Sequence, residues 1–171
     1  MTLSHTVRRR LMMKTLTLVV VGAPRATRAL GPPLGPVVLT VSGKLDNPAG
    51  DARFDMAMLE ALPQHSFTTR TPWYPQPRKF TGPLLRQVLS QVGARGDQVR
   101  AIALNDYRID IPMADLLRYD VVLARLLDDK PMAVRDKGPL FIVYPFEDQP
   151  ELRSTVYYSR CAWQLKALQV L

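Results

Sequence analysis

The stretch Ala103-Leu104-Asn105-Asp106-Tyr107-Arg108-Ile109-Asp110-Ile111-Pro112, taken together with Arg135-Asp136-Lys137-Gly138-Pro139-Leu140-Phe141-Ile142-Val143-Tyr144-Pro145, decides how this chain folds. In the first stretch Tyr107, Ile109 and Ile111 alternate with Arg108 and Asp110, the period-two pattern of a strand with one buried face. Upstream, Val99, Ile102 and Leu104 read as a strand that runs from Gln98 into the core. Asn105-Asp106 between the two runs supplies a tight hairpin turn, because short Asx side chains bond their own backbone and tolerate left-handed φ. In the second stretch Leu140 to Tyr144 is an unbroken apolar run that Pro145 ends, as in a buried strand.

On either side of this pair the same kinds of signal recur. Val37 to Ser42 is a β-branched first strand that leads into Gly43. Asp55 caps a short helix through Met56, Met58, Leu59 and Leu62, ended by Pro63, and its methionines are core filling. Ser66 to Thr71 forms a hydroxyl-rich strand broken at Pro72, and Pro72-Trp73-Tyr74-Pro75-Gln76-Pro77 reads as a proline-rich surface loop. Pro83 suits the first turn of a helix whose apolar face is Leu84, Leu85, Val88, Leu89 and Val92, with Gly93 as its stop. A helix from Met113 to Tyr119, a strand from Val121 to Leu127, a turn at Asp128-Asp129-Lys130-Pro131 and a sheet-closing strand within Trp163 to Val170 follow. The expected class is α+β, a β-rich mixed sheet with short helices.

A chain of 171 residues, 47% of them hydrophobic, holds one ordinary core, assigned to 37–171. The formal net charge is +8, but Arg8, Arg9, Arg10, Lys14, Arg25 and Arg28 all precede Val37. Without these six, 17 basic residues face the same 15 acidic ones, a formal +2, so the folded part has no charge signature of a nucleic-acid binder. Residues 1–29 have the order of an export signal: a basic stretch, the apolar run Leu16 to Val21, then small residues, with a linker over 30–36. Arg8-Arg9-Arg10-Leu11-Met12 carries a twin-arginine-like element. The run falls well short of the ~20 apolar residues that span a bilayer, so the expectation is an exported or periplasmic protein with no permanent membrane span. One cysteine, Cys161, allows no internal disulfide and reads as a small buried thiol. A single histidine beyond the signal, His65, is too few for a multi-histidine zinc site.

The order of Phe80-Thr81-Gly82-Pro83-Leu84-Leu85-Arg86-Gln87-Val88-Leu89, the Asp106-Tyr107 turn, Ile111-Pro112-Met113-Ala114-Asp115, Asp120 to Ala124 and Gly138-Pro139-Leu140 resembles the sulfite oxidase family of molybdopterin-binding domains, over about Val37 to Leu171. More narrowly, it is similar to small exported oxidoreductase-like members. The resemblance implies a barrel-like mixed-sheet fold and a cofactor cleft at the strand ends. Catalytic members ligate molybdenum through a thiolate just before the helix that here begins near Pro83. This chain has Thr68-Thr69-Arg70-Thr71-Pro72-Trp73 there, and a neutral hydroxyl does not replace that soft ligand. Around the Gly-Pro pair, Asp136 stands near the family's histidine and Phe141 replaces its arginine.

The resemblance brings Thr69, Arg70, Trp73, Asn105, Asp106, Tyr107, Arg135, Lys137 and Arg160 to one cleft as candidate ligand-binding residues, with no metal ligand and no catalytic group assigned. Arg135 and Lys137 suit an anionic group, and Trp73 a stacking surface. No nucleophile elbow surrounds any serine. A carboxylate pair from Asp106, Asp110 and Asp115 is disfavoured, because Asp110 points outward in the alternation and Asp115 reads as a helix-surface residue. Two functions follow: a non-catalytic domain binding an anionic small molecule or an exported or membrane partner protein, or a molybdopterin-dependent oxidoreductase working without a protein thiolate.

Overall fold

The computed structural model describes residues 31–46 and 50–171, so the signal-like segment 1–29 lies outside the described residues. The elements run β1 (Val37–Gly43), β2 (Ala52–Asp55), α1 (Met56–Glu60), β3 (Gln64–Thr71), β4 (Tyr74–Pro83), α2 (Leu85–Gln91), β5 (Gln98–Ala103), β6 (Arg108–Pro112) and α3 (Met113–Arg118). They continue through β7 (Val122–Ala124), β8 (Leu126–Leu127), β9 (Lys130–Pro131), β10 (Phe141–Val143), α4 (Thr155–Arg160) and β11 (Leu165–Val170). The fold is strand-rich mixed α+β with short helices. Its strands form open sheets in the orders β2-β1-β11-β5-β6, β3-β4-β8-β9 and β10-β7.

Local chemistry explains most boundaries. The Asp55 carboxylate accepts the Met58 N–H at 2.8 Å and so caps α1. Its other oxygen accepts the N–H groups of Leu34 and Gly35, both at 2.8 Å, which ties the assigned linker to the domain. These backbone donors, that of Met58 foremost, hold the Asp55 carboxyl below its ordinary range. Helix α2 buries Leu85, Val88 and Leu89, and Gly93 stops it at φ 61. Pro83 ends β4 rather than opening α2, because Leu85 N–H is taken by the Val121 carbonyl at 2.9 Å.

Three expectations need correction. In β5 the buried residues are Val99, Ala101 and Ala103, whereas Ile102 is half-buried and Leu104 exposed. The strand period of two forces one parity, and the pairing of Val99 with Ile111 selects the odd one. The proline-rich stretch is no loop: β3 and β4 form a hairpin turning at Pro72-Trp73, with Thr71 opposite Tyr74. Thr69 pairs with Arg78, so the three residues from Pro75 to Pro77 stand opposite Arg70 alone, in an irregularity where a missing N–H is harmless. Third, β11 does not close an edge. It lies in mid-sheet, parallel to β1 and antiparallel to β5.

The buried residues form one cluster that includes Phe54, Phe80, Phe141, Tyr144 and Phe146. Gly82 in β4 lies directly against the backbone of β7, where a Cβ would overlap the Leu123 carbonyl oxygen. Backbone has nowhere to retreat there. Gly82→Ala should therefore destabilise the fold by about 3 kcal/mol, the upper range for overpacking, measured as a lowered urea midpoint. An unchanged midpoint would show that β4 and β7 are not so closely apposed.

Candidate functional site

Three segments far apart in sequence meet at one cleft. The first is the tip of the β3-β4 hairpin, which carries Pro72 and Trp73. The second is the β5-β6 turn, which contributes Ala103, Asn105 and Tyr107. The third is α4 with the residues after it: Thr155, Tyr158, Ser159, Cys161 and Trp163. They enclose a cavity of about 380 Å³. A volume of this size admits a small organic molecule.

The turn is set as its residues predicted. Asn105 Oδ1 accepts the Tyr107 N–H at 3.1 Å, Asp106 adopts φ 62, and the Ala103 N–H donates to the Tyr107 carbonyl at 3.0 Å. Tyr107 then reaches across the cavity rim, where its hydroxyl donates to the Ser159 carbonyl at 2.8 Å. That bond fastens the hairpin to α4. Trp73 is fixed by edge-to-face contacts with Phe141, Trp163 and Tyr158 at centroid distances of 5.5, 5.4 and 6.3 Å. Trp73, Tyr158 and Trp163 thus give the cavity aromatic walls whose planes are set by their own packing.

The structure brings Trp73, Asn105 and Tyr107 together, as expected, and places the other candidates elsewhere. Lys137 stands behind the wall, its ammonium 5.3 Å from the Trp163 ring centre and 5.6 Å from that of Tyr74. Asp106 turns away from the cleft to pair with Lys166 at 2.8 Å, which holds its carboxyl below the ordinary range. Arg135 is exposed and pairs with its neighbour Asp136 at 3.5 Å. Thr69 is buried with its hydroxyl near the Arg70 carbonyl at 3.4 Å, and Arg70 borders a neighbouring depression. The expected convergence of all nine on one pocket therefore does not occur. Charged side chains prefer partners or water to this apolar lining.

Arg160 is taken by a different structure. Its Nη1 donates to Asp115 Oδ2 at 2.6 Å, and the Tyr144 hydroxyl donates to the same oxygen at 2.9 Å. Asp115 is therefore buried beneath α4, not a helix-surface residue, because α4, which the sequence reading lacked, lies over it. Burial and the Asp115 charge push the Tyr144 phenol far above its usual range and keep it a donor. Asp110 does point outward, paired with Arg100 at 2.7 Å. His65 contacts only the Phe67 ring among aromatic partners, at 6.4 Å. No three of the described His, Cys, Asp and Glu residues converge as metal ligands.

The cleft residues outside the nine candidates are Pro72, Ala103, Thr155, Tyr158, Ser159, Cys161 and Trp163. The run Tyr157-Tyr158 ahead of Trp163 was the available signal. Cys161 sits in the cavity wall, and its thiol points to the Tyr157 carbonyl at 3.5 Å. Burial pushes its pKa up to about 12, so the thiol stays protonated.

Two outcomes follow. Arg160→Met should cost about 2 kcal/mol in urea unfolding, since it strands the Asp115 carboxylate, and Asp115→Asn in the same chain should recover part of it; no loss would show the pair to be loosely held. The Cys161 pKa is raised on folding, so its contribution to stability is present below the unfolded thiol's pKa of about 8.5. That contribution fades as pH climbs towards about 12. At pH 8 the folded protein should resist a thiol reagent that the urea-unfolded chain consumes, whereas rapid labelling of the native state would mean an accessible thiolate.

The sequence matches no protein-family model and has no significant similarity to a curated protein, so the cleft must be interpreted from its own residues.

Proposed function

We propose that this chain is a non-catalytic ligand-binding domain of the sulfite oxidase, molybdopterin-binding type, exported from the cytoplasm, that holds a small flat organic molecule in the aromatic cleft. The observation that carries this reading is the lining of the cleft. It combines the ring faces and edges of Trp73, Tyr158 and Trp163 with the neutral polar groups of Asn105, Thr155 and Ser159. Such a lining binds and orients a ligand. It offers no carboxylate, imidazole or ammonium for proton transfer, and its single thiol is held protonated.

Export rests on the order of charge and hydropathy in residues 1–29. Among the described residues no helix is long and apolar enough to cross a membrane. A sensory or partner-docking role accords with a domain that binds without turning its ligand over.

One observation favours the second reading, a molybdopterin-dependent oxidoreductase: the chain's only cysteine stands in the cleft wall. The residues do not fit the metal. Molybdenum ligation by sulfur calls for a sulfur that can reach the metal, whereas Cys161 is buried with its thiol turned to the Tyr157 carbonyl at 3.5 Å. Thr69, in the segment where the family has its thiolate, is a buried residue of β3 with its hydroxyl turned to backbone.

Two measurements test this. Protein purified from a molybdenum-competent host should contain no stoichiometric molybdenum; stoichiometric metal with bound pterin would sink the binding-domain reading, and its loss in Cys161→Ser would identify the ligand. Trp73 and Trp163 are the only tryptophans, so cleft occupancy reads out as fluorescence. The neutral probe 2-naphthamide should quench them saturably, and Trp73→Ala should weaken binding by about tenfold through loss of ring stacking. Quenching that never saturates would contradict a binding cleft.

A further inference from the structure

A second depression adjoins the cleft. Pro72 and Tyr158 line both, and on the far side of this shared wall Arg70, Thr71, Glu147 and Arg153 surround a space of about 410 Å³. Its character is opposite to that of the cleft, since two guanidiniums face one carboxylate.

Those charges are not equally committed. Arg153 Nε donates to the Phe146 carbonyl at 2.8 Å, and its Nη2 pairs with Glu147 Oε2 at 2.8 Å. The other Glu147 oxygen accepts the backbone N–H of Arg70 at 3.4 Å. Arg153 and Glu147 thus neutralise each other. The Arg70 side chain, exposed at the end of β3, has no hydrogen bond or ion pair among the described residues. Beside it Thr71 is only 8% exposed, and its hydroxyl is buried without a partner. An exposed guanidinium with no partner among the described residues is unused capacity for an acceptor.

We propose that the ligand is an aromatic anion, whose flat body occupies the cleft while a carboxylate or phosphate crosses the Pro72–Tyr158 wall to Arg70. This rests on the ligand-binding reading above and adds to it the charge of the ligand and the residue that selects it. The apolar lining rejects a charged group, so the anion must leave the cleft, and Arg70, without a side-chain partner among the described residues, stands at its exit. A guanidinium's fork of N–H donors matches the paired oxygens of either anion. The wall itself is rigid: Pro72 is fixed in the hairpin turn, and the Tyr158 ring is held between Trp73 at 6.3 Å and Phe146 at 4.9 Å.

The test compares 2-naphthamide, 2-naphthoate and 2-naphthyl phosphate on the full chain by tryptophan quenching. At least one anion should bind roughly tenfold or more tightly than the neutral amide, the gain expected of a charge-assisted hydrogen bond. Which anion does so identifies the head group. Arg70→Gln should reduce that anion to the level of the amide and leave the amide unchanged. Equal binding of all three, or a preference that survives Arg70→Gln, overturns the anion assignment and leaves the cleft reading intact. Loss of the amide in Arg70→Gln also overturns it, because Arg70 would then shape the cleft. If none of the probes binds, the cleft reading falls and takes this inference with it.

Discussion

The structure turns on the packing of Trp73. A tryptophan at the tip of a two-residue hairpin turn would ordinarily be a surface ornament. Here its ring lies within 5.5 Å of Phe141 and 5.4 Å of Trp163, centre to centre. Phe141 in turn meets Phe80 at 5.8 Å. These edge-to-face contacts join the tip of the β3-β4 hairpin to the buried strand β10 and to the approach to β11, two pieces that a bridge between Phe141 and Trp163 also links. Each such pair adds roughly 0.5–1.5 kcal/mol beyond the burial of its area. The same ring forms a wall of the cleft, so the site is a by-product of how the core is closed.

A polar device supports the other side of the cleft. Asp115 on α3 receives bonds from Tyr144, just beyond β10, and from Arg160 at the end of α4. Helix α4 is further held by the Tyr107 bond to Ser159 and by Tyr157 and Tyr158, which meet Tyr144 and Phe146 at 5.5 and 4.9 Å. Helix α4 positions Thr155, Tyr158 and Ser159 in the cleft. A largely buried ion pair thus helps set the position of one side of the cleft. Buried charges specify one arrangement because misplacing either leaves an uncompensated charge in an apolar setting.

How much of this was legible in the sequence depended on the range of the signal. The Asn105-Asp106 turn, the Asp55 cap and the apolar face of α2 are written in residues a few positions apart, and all are present. The parity of β5 was misread because Ile102 and Leu104 are the larger apolar residues, yet Val99, Ala101 and Ala103 face inward. Small side chains fit there because the neighbouring strand β11 supplies Leu165 and Leu168, both fully buried. Pro75 and Pro77 signalled a loop, and only the pairing of Thr69 with Arg78 shows that a strand tolerates them. Helix α4 leaves little trace in the sequence because five of its six residues, Thr155 to Ser159, are β-branched, aromatic or hydroxylic and have little helical propensity of their own.

By itself the sequence determined the strand-rich α+β class, the hairpin turn and the capped first helix, whereas the grouping of Trp73, Asn105 and Tyr107 at one cleft was an implication of a family resemblance. The first three follow from periodicity and turn chemistry, which act over a few residues. Only the tertiary structure decided that β11 lies in mid-sheet, that Arg160 serves Asp115, that Cys161 stands neutral in the cleft wall, and that Arg70 borders the adjoining depression with no side-chain partner among the described residues. Those outcomes depend on which distant segments come to share a charge or a buried surface. A linear pattern records what a side chain is, and its partners are fixed only when the chain has closed around them.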